Sequence, residues 1–329
     1  MKIINPSVEI MRTGLQTEPV TPEQFIEKVG RTCYKSEDKI TEDSAAKFVG
    51  NLIKRGHEAM IEHWNLIFKT DAENYEYIVS DWEMLLHNGD ILLHERLRPY
   101  LRFTDWQTDN GEMRCVISGN MRAWRDFAKA CTEGFGFIPR YMQSMIRNYP
   151  LFFPEFQCFI TEEIVNDILI PISETDLVGA TEHGVHHDVT VKFICDRGVS
   201  HEIVRHRVAS FAQESTRYCN YSKDQFGNEI TVIEPAAFEL LLPTSTIRES
   251  WENACLVAEK EYFTMLAEGA TPQTARSVLP NSLKTEVIVT MNLYGWNHFF
   301  GLRCDPAAHP DMQVVAKMAK AQFMDEGVV

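Results

Sequence analysis

The sequence predicts an α/β chain, and three stretches carry that reading. Between Asp188 and Cys195, Val189, Val191, Phe193 and Cys195 alternate with other residues at the period of two that marks a half-buried strand. Ala45, Phe48, Val49, Leu52 and Ile53 recur at helical spacing behind an Asp43-Ser44 cap, and Gly56 closes the segment. Trp251 to Leu266 repeats the helical period, whereas Thr285 to Met291 is short and β-like.

The remaining elements follow in order. After the polar cluster Gly56-His57-Glu58 and Glu62-His63, the run Trp64 to Thr70 reads as a strand. From about 71 to 187 the pattern is irregular and rich in aromatic residues, with helix-like pieces near 73–95, 119–132 and 160–170, so it reads as an insertion. A helix is expected from 198 to 206. Thr271-Pro272 supplies an N-cap followed by proline at the first helical position, and helices near 294–302 and 309–324 finish the chain. No repeat or linker-like tract marks a domain boundary. At 329 residues, one large domain with an insertion and two domains both fit the length.

Apolar residues at 44% and charged residues at 24% are ordinary for a soluble globular protein, and no stretch has the apolar length of a membrane span. Met1-Lys2-Ile3-Ile4-Asn5-Pro6 lacks the apolar core of a secretory signal, so the cytoplasm is the expected location. The eight cysteines are scattered without a CxxC pair and read as reduced thiols, mostly in the core. A net charge of −15 argues against sequence-independent binding to nucleic acid. A nucleotide would need arginines gathered in one place.

Such a gathering exists. Arg205-His206-Arg207-Val208-Ala209-Ser210-Phe211-Ala212-Gln213-Glu214-Ser215-Thr216-Arg217-Tyr218 follows directly on the strand and helix near 188–206. A solvated basic face is one reading. The apolar segments just before it favour a pocket, where arginine forks suit bidentate phosphate binding and hydroxyls add neutral donors.

These residues resemble the signature of flavin-dependent thymidylate synthases, RHRxxSxNxxSxRY. Arg205, His206, Arg207, Ser210, Ser215, Arg217 and Tyr218 match it, and Ala212 stands at the asparagine position. Three further blocks follow the family order. Gly56 to His63 is similar to GHExxxEH, Ala275-Arg276-Ser277-Val278-Leu279-Pro280 to ARxxLP, and Asn292, His298 and Leu302-Arg303 to the family's C-terminal elements. Together they span roughly 31–70 and 187–318. Val116 to Trp124 resembles a block carried by some members.

The resemblance implies a single catalytic domain over 1–329, with a mostly antiparallel central sheet flanked by long helices and 71–187 as a large insertion. It implies reductive methylation of dUMP to dTMP without a cysteine nucleophile. 5,10-Methylenetetrahydrofolate would be the carbon donor and NADPH-reduced FAD the hydride carrier. Arg205, Gln213, Glu214, Ser215, Thr216, Arg217, Arg276 and Arg303 would hold dUMP. His63, Asn65, Arg205, His206, Arg207, Gln213, Asn292 and His298 would contact FAD, some from a neighbouring subunit of a homotetramer. Arg303 would carry the catalytic role, favouring the N3-deprotonated uracil through its charge.

Three alternatives compete. Glu182-His183, His186-His187-Asp188 and His201-Glu202 raise the possibility of zinc, but His201 and His206 are five apart rather than four, and His183 and His187 flank Gly184 in a loop. No metal is expected. An RNA-binding module lacks the aromatic signature, and neither a Walker A pattern nor GxGxxG is present. A flavin- or nucleotide-binding paralogue without synthase activity is the third reading.

Overall fold

A computed structural model of the chain describes residues 1–12, 20–70, 99–107, 113–161, 184–223, 226–242 and 245–328, with isolated positions 76, 80, 111, 170 and 171. The chain is mixed helix and antiparallel sheet. Strand β1 (Lys2–Ile4) pairs in parallel with β9 (Thr231–Ile233), joining the two segments at the rim.

The central sheet has the order β2-β7-β10-β8, all antiparallel: β2 (Ser7–Arg12), β7 (Asp188–Asp196), β10 (Lys284–Asn292) and β8 (Ser210–Gln213). The expected strands near 188–195 and 285–291 are its two middle members. The half-buried reading of the first is corrected, because Asp188 and Thr190 are buried along with the apolar positions. Helices lie on both faces of the sheet, and along β7 only Lys192 and Ile194 keep partial exposure.

On one face lie α8 (Leu293–Arg303) and α9 (Pro310–Asp325), where Trp296, Phe299, Phe300 and Phe323 pack over Val189, Val191 and Phe193. The other face receives α1 (Pro22–Tyr34) through Phe25, Val29 and Cys33, which meet Ala212 and Ile288. Thr21 caps α1 with a reciprocal box: its hydroxyl accepts from the Gln24 amide at 3.3 Å, and Gln24 Oε1 accepts from the Thr21 amide at 3.1 Å. Helix α2 (Ser44–Lys54) buries Ala45, Val49 and Leu52, and Gly56 ends that turn with φ 69°, a left-handed conformation that favours glycine. Asp43 flanks the helix, but its side chain makes no capping bond.

A second antiparallel sheet, β4-β5-β3-β6, is built from β4 (Leu101–Gln107), β5 (Met113–Asn120), β3 (Asn65–Thr70) and β6 (Ile170–Pro171). The region read as an irregular insertion is therefore ordered over its described part, and it extends a strand that begins at the GHExxxEH block. Helices α3 (Met121–Phe135) and α4 (Arg140–Asn148) complete a core around Trp124, Phe127, Tyr141 and Met145. The helix expected at 119–132 starts at Met121, because 113–120 pairs along β3 and β4. The helix-like pieces near 73–95 and 160–170 fall mostly outside the described residues.

Helix α5 (Arg197–Ile203) follows β7 directly, capped by Asp196, whose carboxylate accepts from the Val199 amide at 2.7 Å. Helix α6 (Thr246–Ala267) packs Cys255 and Tyr262 against Tyr221, Val232 and Leu283, and the short α7 (Pro272–Ala275) is capped by Thr271 as expected. Among the described residues no helix is long and apolar enough to cross a membrane.

Candidate active site

The ends of β10 organise the candidate residues. Near its C-terminal end, Thr290 Oγ1 lies 2.8 Å from His63 Nδ1 and 2.8 Å from Thr190 Oγ1, so one hydroxyl ties the GHExxxEH block to the central sheet. His63 is fully buried in the single chain, and burial pushes its imidazole down to about 3, so it is neutral. Among the described residues its Nε2 has no hydrogen-bond partner, and neither does Asn65 Oδ1, which is also buried. The block is held from outside by helix α3, where Arg122 pairs with Glu62 at 2.6 Å and Arg125 with Glu58 at 3.2 Å.

Two residues along, Asn292 caps α8. Its Oδ1 accepts from the Gly295 amide at 2.8 Å, and its Nδ2 donates to the Val185 carbonyl at 3.0 Å. The strand-end cap is thus this residue's structural role. Arg102, from the second sheet, donates to the same Val185 carbonyl and holds Asp188 with both terminal nitrogens, at 2.9 and 3.0 Å. Next to them His186 bridges Ser118 Oγ at 2.7 Å and Thr104 Oγ1 at 2.8 Å, and burial takes it down to about 4. Gly184 is required here, because its φ is 60° and a β-carbon would sit 2.5 Å from Leu293 Cβ. None of these contacts had a signal in the spacing, since Arg102 lies 86 residues before its partner.

A second cluster surrounds Arg303. Its Nε donates to His206 Nε2 at 2.8 Å and its Nη1 to Glu202 Oε2 at 2.7 Å, while Nη2 reaches the Glu202 carbonyl at 3.2 Å. Because His206 accepts through Nε2, its proton sits on Nδ1. Burial, then the charges of Arg303 and His298, bring His206 down to about 4. His298 is exposed, with its ring centroid 6.1 Å from that of His206. Among the described residues three of Arg303's five N–H donors make hydrogen bonds.

The arginine-rich segment emerges from the core as read, with Ser210 and Ala212 buried in β8. Ala212 packs against α1, where an asparagine amide would need polar partners among apolar neighbours. Arg205, Arg207 and Arg217 are exposed, as is Arg276, whose Nη1 donates to Thr216 Oγ1 at 3.2 Å. Ser215 donates its amide to the Cys33 carbonyl at 3.0 Å. Gln213 is committed internally, its Nε2 donating to Ser200 Oγ at 2.9 Å and to Thr285 Oγ1 at 3.2 Å.

Glu214 is paired with a lysine. Its carboxylate accepts from Lys284 Nζ at 2.9 Å and lines a cavity of about 560 Å³ with Lys2, Lys35 and Tyr221. Behind it, buried Glu286 receives Lys35 at 2.6 Å, Lys192 at 2.6 Å and Lys284 at 2.5 Å. Those three ammonium groups outweigh burial and hold the Glu286 carboxyl down at about 2. Lys35 reaches it from a left-handed backbone with φ 46° at the end of α1. Sequence reasoning did not find this cluster.

Six of the eight cysteines are buried. Burial raises Cys33 to about 11 and Cys115 and Cys219 to about 12, and it also raises Cys195, Cys255 and Cys304. Among the described residues no group of three His, Cys, Asp or Glu side chains is placed to hold a metal ion.

Comparison with known proteins agrees with the motifs. Residues 179–326 match the family model described as thymidylate synthase complementing protein. A flavin-dependent thymidylate synthase of Geobacter sulfurreducens is 36% identical over 120 residues, covering 36% of this chain and 49% of that protein. The enzyme of the same name from Pyrococcus abyssi is 35% identical over 125 residues, covering 38% and 49%, and that from Sulfurisphaera tokodaii 36% over 122 residues, covering 36% and 43%. The chain spans about half the length of the curated relatives it matches. Over residues 179–326, the part holding the arginine-rich segment, Arg276, Asn292 and Arg303, the chain is similar to the thymidylate synthase complementing protein family.

Proposed function

We propose that the chain is a flavin-dependent thymidylate synthase, a methyltransferase that converts dUMP to dTMP with 5,10-methylenetetrahydrofolate, FAD and NADPH. The observation that carries this reading is the match of residues 179–326, which contains the RHR segment and Arg303 in family order. The central β2-β7-β10-β8 sheet with its helices would be the family's catalytic fold, within one domain that includes 71–187 as an insertion. The cytoplasm and a homotetramer belong to the same proposal. Exposed Arg205, Arg207, Arg217 and Arg276 fit a dUMP site completed by another chain.

The residues fit a flavin. Buried His63 Nε2 and Asn65 Oδ1 lack partners among the described residues, and buried polar atoms left unpaired are costly unless a ligand supplies the bond. His63 and Asn65 would hold FAD on one side, with Arg205, His206, Arg207, Gln213, Asn292 and His298 as further contacts. Reduced flavin supplies the hydride equivalent that turns the transferred methylene into a methyl group.

The chain's own residues would bind and polarise dUMP. Arginine forks and the Thr216 hydroxyl grip a phosphate, and this remote binding energy positions the uracil. Arg303, fixed by Glu202 and His206, would place positive charge beside the ring and favour the anion at N3. Six of the eight cysteines are buried, which supports chemistry without a cysteine nucleophile.

Arg303→Ala tests this assignment. The variant is expected to lose dTMP formation while FAD stays bound; unchanged turnover refutes Arg303's role. Bound flavin without dUMP-dependent NADPH oxidation in the unmodified chain identifies the non-synthase paralogue instead.

A further inference from the structure

At the end of edge strand β2, Arg12 stacks its guanidinium over the Trp64 indole, 3.8 Å from the ring centroid, with Phe25 at 5.8 Å. Among the described residues this guanidinium makes no hydrogen bond and no ion pair. Burial lowers it to about 10, against the opposing charges of Asp188 and Tyr149. The indole Nε1 of Trp64 is buried and, among the described residues, also lacks an acceptor.

Two stacked groups thus offer only donors, with no acceptor bonded to them among the described residues. Buried donors in native proteins are nearly always paired, which singles out the Trp64 N–H, and the half-buried Arg12 guanidinium adds a fork of five donors above it. Stacking on an aromatic face fixes the fork's plane, which prepares it for a planar or tetrahedral oxyanion. The position is specific as well. Arg12 lies opposite Thr190, whose hydroxyl reaches Thr290 and through it His63, while Trp64 sits between His63 and Asn65. Both flanking residues carry partnerless buried atoms of their own.

We propose that Arg12 and the Trp64 indole N–H form an oxyanion subsite beside the His63–Asn65 stretch, binding a phosphate or carboxylate of one of the small molecules used there. Arg12 supplies the charge and the fork, and Trp64 supplies both the platform and a neutral donor. The inference rests on the synthase reading, because that reading brings FAD, dUMP, NADPH and the folate, all oxyanions, to this face.

The test measures dissociation constants for FAD, dUMP, NADPH and methylenetetrahydrofolate separately, at low and high salt, on the full chain. The unmodified protein is compared with Arg12→Met, Arg12→Lys and Trp64→Phe. Arg12→Met is expected to weaken a subset of the four at least tenfold and to flatten their salt dependence; the affected ligand names the source of the oxyanion. Arg12→Lys should recover part of the loss, since it restores charge without the fork. Trp64→Phe, which keeps the platform and removes the N–H, should weaken the same ligand about threefold.

Unchanged constants for all four ligands overturn the inference, as does an equal loss for all four with a lowered melting temperature. If Arg12→Met does not fold, Trp64→Phe decides alone, and unaltered affinities then overturn it. Failure of the unmodified protein to bind any of the four sinks the synthase reading and this inference with it. Normal binding with unaffected variants sinks only the inference.

Discussion

Replacing Glu286 with glutamine should destabilise the protein in a way that fades with acid. The carboxylate is 5% exposed and meets three lysines within 2.6 Å, and they hold it at about 2 against an ordinary 4.5. At about 1.4 kcal/mol per pH unit, that difference corresponds to about 3 kcal/mol of native-state stability. The folded value is depressed, so the contribution is full above pH 4.5 and is lost as pH falls toward 2. Glutamine removes it, because it keeps the shape of the side chain but not the charge that Lys35, Lys192 and Lys284 meet. Urea unfolding of both proteins from pH 7 to pH 3 reads the effect. The gap should be about 3 kcal/mol at pH 7, hold to about pH 5 and narrow below pH 4. A gap below about 1 kcal/mol at pH 7, or one of equal size at pH 3, refutes the reasoning.

Three further outcomes are expected. Asn292→Ala removes the cap of α8 and should cost about 1 kcal/mol by denaturant unfolding, with FAD affinity falling tenfold or more in a flavin titration. Thr290→Val takes the partner from buried His63 Nδ1, so a stability loss of about 1–3 kcal/mol is expected together with weaker flavin binding. Uridine without its phosphate should be a very poor substrate in a turnover assay, and efficiency comparable to dUMP would argue against an arginine-lined pocket.

What the sequence made legible was local. The alternation at 188–195, the cap at Thr271-Pro272 and the periods at 251–266 and 309–324 each depend on neighbours within a few residues, and each became the expected element. Helix α1 carried an equally local signal, the Thr21-Pro22-Gln24 capping box, and was passed over. The covered second face of the sheet was not legible, because it depends on α1 meeting Ala212 and Ile288 far along the chain. The motif residues were found by resemblance, and the structure adds what holds them. His63 depends on Thr290, Arg303 on Glu202 and His206, and the Val185 carbonyl on Arg102 and Asn292. Such pairs join residues up to 227 apart, and no periodicity reports them. The described part of 71–187 looked irregular because its strands alternate imperfectly, yet its helix α3 braces Glu58 and Glu62.

The most direct test of the central claim is dTMP formation by the purified chain with dUMP, methylenetetrahydrofolate, NADPH and FAD, followed by mass spectrometry. The account predicts dTMP that disappears when FAD is omitted or Arg303 is replaced by alanine. Folded protein that binds FAD yet forms no dTMP contradicts it.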